Sequence, residues 1–342
     1  MCRKFCNAMN TVGLVWSGDF SRNFLGMSID REPTMCGKQM RLVFSRTAWL
    51  MAVHSSTFAV VASADSMTVT LNNGLVMPKV AFAANVWDPD TCKEATLAAL
   101  SSGFRFVWSS VLIGNSCQAA QAQAIAAARN DSGGIPRQEL FVSGTVNTGS
   151  CGGYDDCVAQ TRSGAENQFQ VLGEPLEMLM LDYPSRSGCD AIRGQWKVLS
   201  DLYQAKRVKS IAVSNFGSDE LDCLKNATVA PASNQLLACV SCGDPVPIVQ
   251  QNAAAGGVVV QAYSPLGSGS LVNDPLLISI GGAHKKSAAQ VALRWLLQHN
   301  VTIATQSTNP TYLAEDLDIF DFVLAASEMA QLDADHRRRH VR

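Results

Sequence analysis

From residue 67 onward the chain alternates short apolar runs with longer segments in which apolar and polar positions are mixed. The apolar runs are nearly continuous, which is typical of parallel strands covered on both faces. The segments between them are rich in strong helix formers or carry apolar residues at three- and four-residue spacing, so they predict helices. Eight strands are predicted in this way, over residues 80–87, 106–113, 140–146, 176–183, 210–216, 232–240, 258–266 and 301–307.

This alternation predicts an α/β protein, a (β/α)8 TIM barrel over residues 67–335. Eight strand–helix units in the 276 residues that follow residue 66 match the size of such a barrel. An open, doubly wound sheet is the alternative, but no G-x-G-x-x-G follows the first strand. Before the barrel, Asn73-Gly74 between two apolar runs predicts an N-terminal hairpin with a type I′ turn.

The two ends of the chain differ from this pattern. Residues 1–66 lack strong periodicity and are expected to form a non-globular N-terminal extension. Within it, residues 40–66 have two arginines, an apolar stretch and then Ala-Ser-Ala, which is the form of a secretory signal. The 39 residues before that segment do not fit a signal, so a later start, a longer targeting leader and a disordered extension all stay open. Residues 336–342 are interpreted as a solvated basic tail.

Charge and composition exclude several classes of function. The net charge is −2 and no basic face is predicted, so we expect no nucleic-acid partner. The sequence has no run of 18 or more apolar residues, so no standard membrane span is predicted. It also has no cluster of histidines at the spacing of metal ligands. The 11 cysteines are scattered, which favours buried thiols over a disulfide framework. For the C-x-x-C pair Cys239 and Cys242, both buried thiols and an incidental disulfide stay open.

Several motifs that follow one another along the chain resemble the aldo-keto reductase superfamily. They include "KSIAVSNF" at 209–216, "VVVQAYSPLGSGSLV" at 258–272 and "SAAQVALRWLLQHNVTI" at 287–303, and the similarity extends from about residue 67 to residue 333. The resemblance implies a (β/α)8 barrel that binds a nicotinamide dinucleotide and moves a hydride between it and a carbonyl of a small-molecule substrate. It also implies a cytoplasmic monomer, although the signal-like segment leaves the compartment open.

All four catalytic positions of the resembled family are substituted in this chain. The family has an Asp and a Tyr on strand 2, a Lys on strand 3 and a His on strand 4. The stretch "GFRFVWSSVLIGN" at 103–115 matches the family pattern of strand 2 without gaps, and it has Trp108 and Ile113 at the Asp and Tyr positions. Thr145 stands at the Lys position and Asp182 at the His position. The chain is therefore an atypical member that lacks the usual proton donor.

Asp182 is the named candidate for a replacement acid, and a residue from a loop stays open as the alternative. Side chains alternate along a strand, so only one of Asp182 and Tyr183 should face the pocket, and the resemblance selects Asp182. A carboxyl in an apolar pocket can have a raised pKa and act as an acid or base. A capping or salt-bridging aspartate, with Arg186 or Arg193 as its partner, stays open.

The resemblance also implies cofactor-binding residues. Ser214, Asn215 and Gln235 match residues that bind the nicotinamide carboxamide, and Tyr263 matches the residue that stacks on the ring. The loop at 264–270 resembles the family's loop that covers the cofactor pyrophosphate. At the adenosine end, the cationic side chains with which the family holds the 2′-phosphate are lost. Tyr312 and Asp316 replace its usual Arg and Asn. The further cofactor-binding candidates are Ser264, Leu266, Ser268, Gln306, Ser307 and Glu315. The cofactor is NADP or NAD, with a weakened preference for NADP because a phosphate monoester favours a cationic partner.

Two main functions remain open from the sequence. The first is an atypical NAD(P)(H)-dependent oxidoreductase that acts on a small carbonyl or alcohol. The second is a non-catalytic barrel that binds a dinucleotide and has a regulatory or protein-binding role. A lyase or isomerase that uses the same pocket is a third, weaker possibility. Fold alone does not decide among them, because barrels of this type support many reactions.

Overall fold

The structure, a computed structural model, describes residues 66–130 and 134–339. Its centre is a closed barrel of eight parallel strands, each strand paired with the next and β10 paired with β3. A two-stranded antiparallel hairpin, β1 and β2, precedes the barrel. The strands are β1 Thr68–Thr70, β2 Val76–Pro78, β3 Val80–Ala83, β4 Phe106–Ser109, β5 Phe141–Val146, β6 Met178–Asp182, β7 Ile211–Ser214, β8 Ser233–Leu237, β9 Val259–Tyr263 and β10 Thr302–Thr305.

Helices follow the barrel strands, as the sequence pattern predicts. The α-helices are α1 Pro89–Ser101, α2 Asn115–Asn130, α3 Gly153–Leu172, α4 Cys189–Gln204, α5 Ser218–Leu224, α6 Pro245–Ala254, α7 Pro275–His284, α8 Ala288–Gln298, α9 Pro310–Leu317 and α10 Ala326–Arg339. The predicted (β/α)8 barrel is confirmed, and all eight predicted strands are present. Each strand is shorter than its apolar run, because the last residues of most runs turn into the loops above the barrel.

The hairpin is also present, but its predicted turn type is wrong. Thr70 pairs with Val76, so five residues connect the two strands instead of two. A type I′ turn needs positive φ at both central residues, and in this loop only Gly74 has one, at 84°. The side chain of Asn73 instead donates to the Lys209 carbonyl oxygen at 2.9 Å, immediately before β7. This contact fixes the loop to the amino end of the barrel.

Two apolar layers make the core. Inside the barrel, Leu71 and Met77 of the hairpin pack with side chains from the strands, among them Phe106 and Phe141, whose ring centroids are 4.5 Å apart. Outside it, the strands pack against the helices, and Trp295 of α8 is fully buried there. Because the hairpin covers the amino end, the open end of the barrel is the one where the strands end.

The prediction of scattered buried thiols is wrong. The eight cysteines among residues 66–130 and 134–339 form four disulfides, each between residues whose Cα atoms are 4.8–5.5 Å apart. The pairs lie 3 to 34 residues apart in sequence, and no spacing rule identifies them without the fold. The bonds are Cys92–Cys117, Cys151–Cys157, Cys189–Cys223 and Cys239–Cys242.

The described residues cover only part of the two predicted terminal segments. The predicted leader lies outside the described residues except for Ser66, and α10 continues through Arg339 into the predicted tail. Within the described part, no helix is both long and apolar enough to span a bilayer. In the same residues, no group of three or more His, Cys, Asp or Glu side chains is placed to hold a metal ion.

Candidate functional site

A cavity of about 710 Å³ opens at the carboxyl ends of the barrel strands. We call it the pocket. Its lining includes the last residues of β6, β7 and β9, which are Asp182, Ser214 and Tyr263. Of the described residues that line it, none is a lysine, arginine or histidine, and Asp182 is the only carboxylic acid. The pocket is therefore a mostly neutral chamber with one acid on its wall.

Asp182 is 3% exposed, and burial raises the pKa of its carboxyl to about 6. Burial has this effect because a buried carboxylate loses the solvation that stabilises its charge. Ser214, its neighbour across the strand pair, lowers the pKa in part by hydrogen bonding. The Oδ2 atom has no hydrogen-bond partner among the described residues. A carboxyl with this pKa can change its protonation state near neutral pH.

The arginines expected as possible partners do not neutralise Asp182. Among the described residues, neither Arg186 nor Arg193 forms an ion pair with it, and Arg193 Nε donates to the carbonyl oxygen of Cys223 at 3.3 Å. The interpretation of Asp182 as a salt-bridging residue is thus not supported by its surroundings. Its charge is controlled by burial.

Tyr183 also lines the pocket, so the prediction that only one of the adjacent pair faces it is wrong. Strand β6 ends at Asp182, and Tyr183 has a φ of 69°, so the alternation of side chains along a strand no longer applies to it. The Tyr183 side chain is 43% exposed. A run of strand-like residues could not show that the backbone turns at this position.

The other three substituted positions divide into two groups. Trp108 and Ile113 line the pocket, although Ile113 lies in a short 3-10 turn, Val111–Ile113, and not on the predicted strand. Thr145 does not line it, and its Oγ1 accepts a hydrogen bond from the Val111 backbone N–H at 2.9 Å. At the Lys position of the resembled family, this chain thus has a residue that holds the turn carrying Ile113.

Four polar or aromatic side chains expected at the nicotinamide end come together on the opposite wall. The Tyr263 hydroxyl donates to Asn215 Oδ1 at 3.2 Å, and Asn215 Nδ2 donates to Ser214 Oγ at 3.0 Å. Gln235 Nε2 donates to Gln261 Oε1 at 2.8 Å. These bonds hold an aromatic ring and several amide groups in place before any ligand binds. This arrangement can present donors and acceptors to a flat ring that carries an amide.

Backbone strain is concentrated around the pocket. Seven of the described non-glycine residues have positive φ, and three of them, Lys206, Lys285 and Asn300, follow the ends of helices, where this conformation is common. The remaining four all line the pocket, and they are Tyr183, Asn215, Ser264 and Ser268. Unfavourable backbone conformations persist where the surrounding structure enforces them, and they cluster at ligand sites.

The residues expected at the pyrophosphate and adenosine ends are only partly brought together. Ser264, Leu266 and Ser268 of the 264–270 loop line the pocket, as does Gln306 after β10. Ser307 and Glu315 are not part of its lining, and the Ser307 hydroxyl accepts from the Asn309 N–H at 3.0 Å.

Tyr312 and Asp316, which stand where the resembled family has an Arg and an Asn, also belong to this region. Tyr312 is 58% exposed on α9. Asp316 is buried, accepts a hydrogen bond from Thr305 Oγ1 at 2.8 Å, and has its pKa raised to about 7, mainly by burial. Neither residue supplies a cation, so neither can be a charged partner for a phosphate group.

A pocket at the carboxyl ends of a closed eight-stranded parallel barrel is the usual active-site position of barrel enzymes. The chain belongs to the aldo/keto reductase family, because the model of that family matches residues 85–336. The resemblance seen in the sequence motifs is thereby confirmed.

Individual relatives and solved structures agree with this assignment. The chain is 31% identical over 284 residues to a morphine 6-dehydrogenase of Pseudomonas putida, covering 78% of this chain and 90% of that protein. It is 30% identical over 283 residues to a glyoxal reductase of Bacillus subtilis, covering 80% and 94%. The crystal structure of an aldo/keto reductase from Brucella melitensis superimposes with a TM-score of 0.68 at 27% identity, covering 78% and 98%.

Proposed function

We propose that the protein is an atypical NAD(P)(H)-dependent oxidoreductase that acts on a small carbonyl or alcohol substrate, with Asp182 as its acid and base. The observation that carries the proposal is the buried carboxyl of Asp182, with a pKa of about 6, in a pocket that is also lined by the hydrogen-bonded side chains of Asn215 and Tyr263. Relatives whose names describe oxidoreductase reactions, such as the glyoxal reductase, support the class of reaction.

In carbonyl reduction, a bound nicotinamide would supply the hydride to the carbonyl carbon. Tyr263 would provide a flat face for the ring, while Asn215 and Gln235 would bind its amide. Asp182 in its protonated form would give its proton to the carbonyl oxygen. In the reverse direction the ionised carboxylate would take the proton from the alcohol. Because the pKa is about 6, reduction should slow as the pH rises above 6, and alcohol oxidation should quicken.

The pocket walls support a small, uncharged substrate. Trp108 and Ile113 are apolar, and Leu112 beside them is exposed at the same wall. An anionic substrate would meet the Asp182 carboxylate and find no cation among the described lining residues. A compact aldehyde, ketone or the corresponding alcohol avoids both penalties.

The same charge distribution supports a weak preference between the two nucleotides. NADP carries an additional phosphate, and the resembled family holds that group with cations that Gln306 and Tyr312 replace here. We therefore expect dissociation constants for NADPH and NADH within about tenfold of each other, as calorimetry can measure. Strong selectivity for NADPH would contradict this part of the proposal.

The test is a nucleotide-oxidation screen of the purified full chain with aldehydes, ketones and quinones, using NADH and NADPH. Turnover of at least one substrate is expected, and Asp182→Asn should lower it by about 10²–10⁴. Tyr183→Phe is the matched control, because it changes the neighbouring residue of the same pocket and removes its only ionisable group. Loss of turnover in Tyr183→Phe with full turnover in Asp182→Asn would reject Asp182 as the proton donor.

The alternative is a barrel that binds a dinucleotide without catalysis. The observation that favours it is the role of Thr145, which holds a backbone turn instead of reaching the pocket. Measurable binding of either nucleotide, together with no turnover of any compound in the screen, would support this alternative over the oxidoreductase.

A further inference from the structure

Every cysteine among the described residues is paired, and the four bonds share one location. Cys92 and Cys117 lie in the first turns of α1 and α2, and Cys189 is the first residue of α4. Each of these helices follows a barrel strand, so its first turn lies at the end of the barrel that carries the pocket. The Cys151–Cys157 bond joins the loop after β5 to the beginning of α3, and the Cys239–Cys242 bond lies in the loop that follows β8. The disulfides therefore link the connections from which the pocket is built.

The Cys92–Cys117 bond contacts the pocket wall directly. Both cysteines are buried in one apolar cluster with Ala84 and Ile113, two residues that line the pocket. Cys117 Sγ also lies 3.7 Å from the carbonyl oxygen of Asn85, another lining residue. This bond joins α1 to α2 behind the wall that Ile113 forms.

Two other bonds support loops at the pocket edge. The hydroxyl of Ser185 donates to the Cys151 carbonyl oxygen at 2.7 Å, so the Cys151–Cys157 loop is tied to the segment that follows Tyr183. Cys239 is buried against the 264–270 loop, where a Cβ on Gly267 would lie 3.7 Å from its sulfur. Each contact connects a cross-linked loop to a segment that lines the pocket.

We propose that these four disulfides form during maturation of the protein in an oxidising compartment, and that Cys92–Cys117 holds the pocket wall in place. Complete pairing of eight cysteines is characteristic of proteins from such compartments, whereas in reducing cytosol buried thiols stay free. For each bond, two thiols lose two protons and two electrons. A protein disulfide of a thiol–disulfide oxidoreductase accepts them by exchange and becomes a dithiol. The proposal replaces the cytoplasmic location implied by family resemblance.

Disulfide mapping tests the maturation step. The full chain, with its own N-terminus, is expressed in eukaryotic cells, collected without reductant, treated with iodoacetamide and digested for mass spectrometry. Four disulfide bonds are expected in the protein from the culture medium, Cys92–Cys117 and Cys189–Cys223 each joining two peptides and the other two lying within single peptides, with no alkylation of these eight cysteines. Alkylation of the eight thiols, or accumulation of the folded protein only in the cytosol, would overturn the proposal.

Hydrogen exchange tests the role of Cys92–Cys117 at the pocket wall. The double variant Cys92→Ser/Cys117→Ser should exchange the backbone amides of residues 84–88 and 111–114 roughly tenfold faster than the parent protein, because the bond that restrains both segments is gone. Cys189→Ser/Cys223→Ser is the matched control, since it removes a bond of similar loop length and is expected to leave those amides unchanged. Equal effects of the two double variants would contradict a specific role for Cys92–Cys117.

If the Cys92→Ser/Cys117→Ser variant does not fold, the same exchange measurement is made on folded parent protein after brief phosphine reduction and alkylation. Faster exchange at residues 84–88 and 111–114 is again expected, and unchanged exchange after reduction of Cys92–Cys117 would reject the bond as a support of the wall. Neither experiment uses nucleotide or substrate, so its outcome is independent of the oxidoreductase proposal.

Discussion

The pocket has two walls that differ in what they keep of the resembled family. On the wall formed by β7, β8 and β9, Ser214, Asn215, Gln235 and Tyr263 stand at the expected positions and are held by hydrogen bonds. On the wall formed by β4 and its following turn, Trp108 and Ile113 replace an acid and a phenol. Under the proposed function, ring binding and proton transfer depend on separate parts of the barrel, so one can be retained while the other changes.

The largest expected effect separates chemistry from binding. Asp182 lies between the two walls, and replacing it with Asn removes the only carboxylic acid among the described lining residues. We expect kcat/KM of Asp182→Asn to fall by about 10²–10⁴, the usual contribution of a general acid. The dissociation constant of the nucleotide should change by less than about twofold, because the proposed ring contacts lie on the wall formed by β7, β8 and β9. A parallel loss of nucleotide affinity in calorimetry would mean that the two walls are not independent.

The next effect concerns stability and pH. The folded Asp182 carboxyl has a pKa of about 6, above its ordinary value of 3.8, so the folded state binds its proton more tightly than the unfolded state. Stability from this group is therefore fully present below about pH 4 and is lost as pH rises through 6, by roughly 3 kcal/mol in total. We expect Asp182→Asn to unfold at higher urea concentration than the parent at pH 8 and at a similar one at pH 4.

Asp316 offers the control for that measurement. It is also a buried acid with a raised pKa, of about 7, but it does not line the pocket. Asp316→Asn should show the same sign of stability change with pH while leaving turnover intact. A pH dependence of stability that neither substitution alters would show that other groups dominate it.

A smaller effect is expected at the wall that carries Trp108 and Ile113. Thr145 Oγ1 is the acceptor for the backbone N–H of Val111, so Thr145→Val should lower the free energy of unfolding by about 2 kcal/mol through an unsatisfied donor. Thr145→Ser keeps a hydroxyl and is the matched control. Urea unfolding measures both variants. Turnover that falls much more than stability in Thr145→Val would indicate a catalytic role that its position outside the lining does not suggest.

The smallest effect is expected at the wall formed by β7, β8 and β9. Tyr263→Phe keeps the ring and removes the hydroxyl that donates to Asn215. The loss of one such bond is worth about 1 kcal/mol, so nucleotide affinity should weaken roughly fivefold. Turnover of the saturated enzyme should stay close to the parent value. Unchanged affinity in fluorescence titration would mean that the Asn215 amide does not need this bond to keep its orientation.

The sequence predicted the barrel well because periodicity and strand length are local properties. All eight predicted strands are present, and Trp108, Ile113 and Asp182 line the pocket. The features that it missed depend on geometry. Thr145 is assigned to the Lys position by the resemblance to the family's strand 3 pattern, whereas its bond to Val111 follows from a turn that the strand pattern does not show.

Tyr183 and the cysteines also depend on geometry that the sequence pattern does not contain. Whether Tyr183 faces the pocket depends on one backbone angle after the end of β6. Pairing of Cys92 with Cys117 depends on the packing of two helices whose first turns meet only in the folded barrel. In both cases the deciding quantity is a three-dimensional distance or angle, and the residue types alone allow several outcomes.

The hairpin at the amino end gives the barrel a single mouth. Leu71 and Met77 fill the space beneath the strands, and Asn73 holds the loop against the barrel there, so within the described residues the barrel is closed at this end. Two molecules that occupy the pocket together must therefore arrive and depart by the same route. If one of them lies beneath the other, the closed end leaves it no second exit, so the order of binding and release then depends on the hairpin as well as on the residues of the pocket.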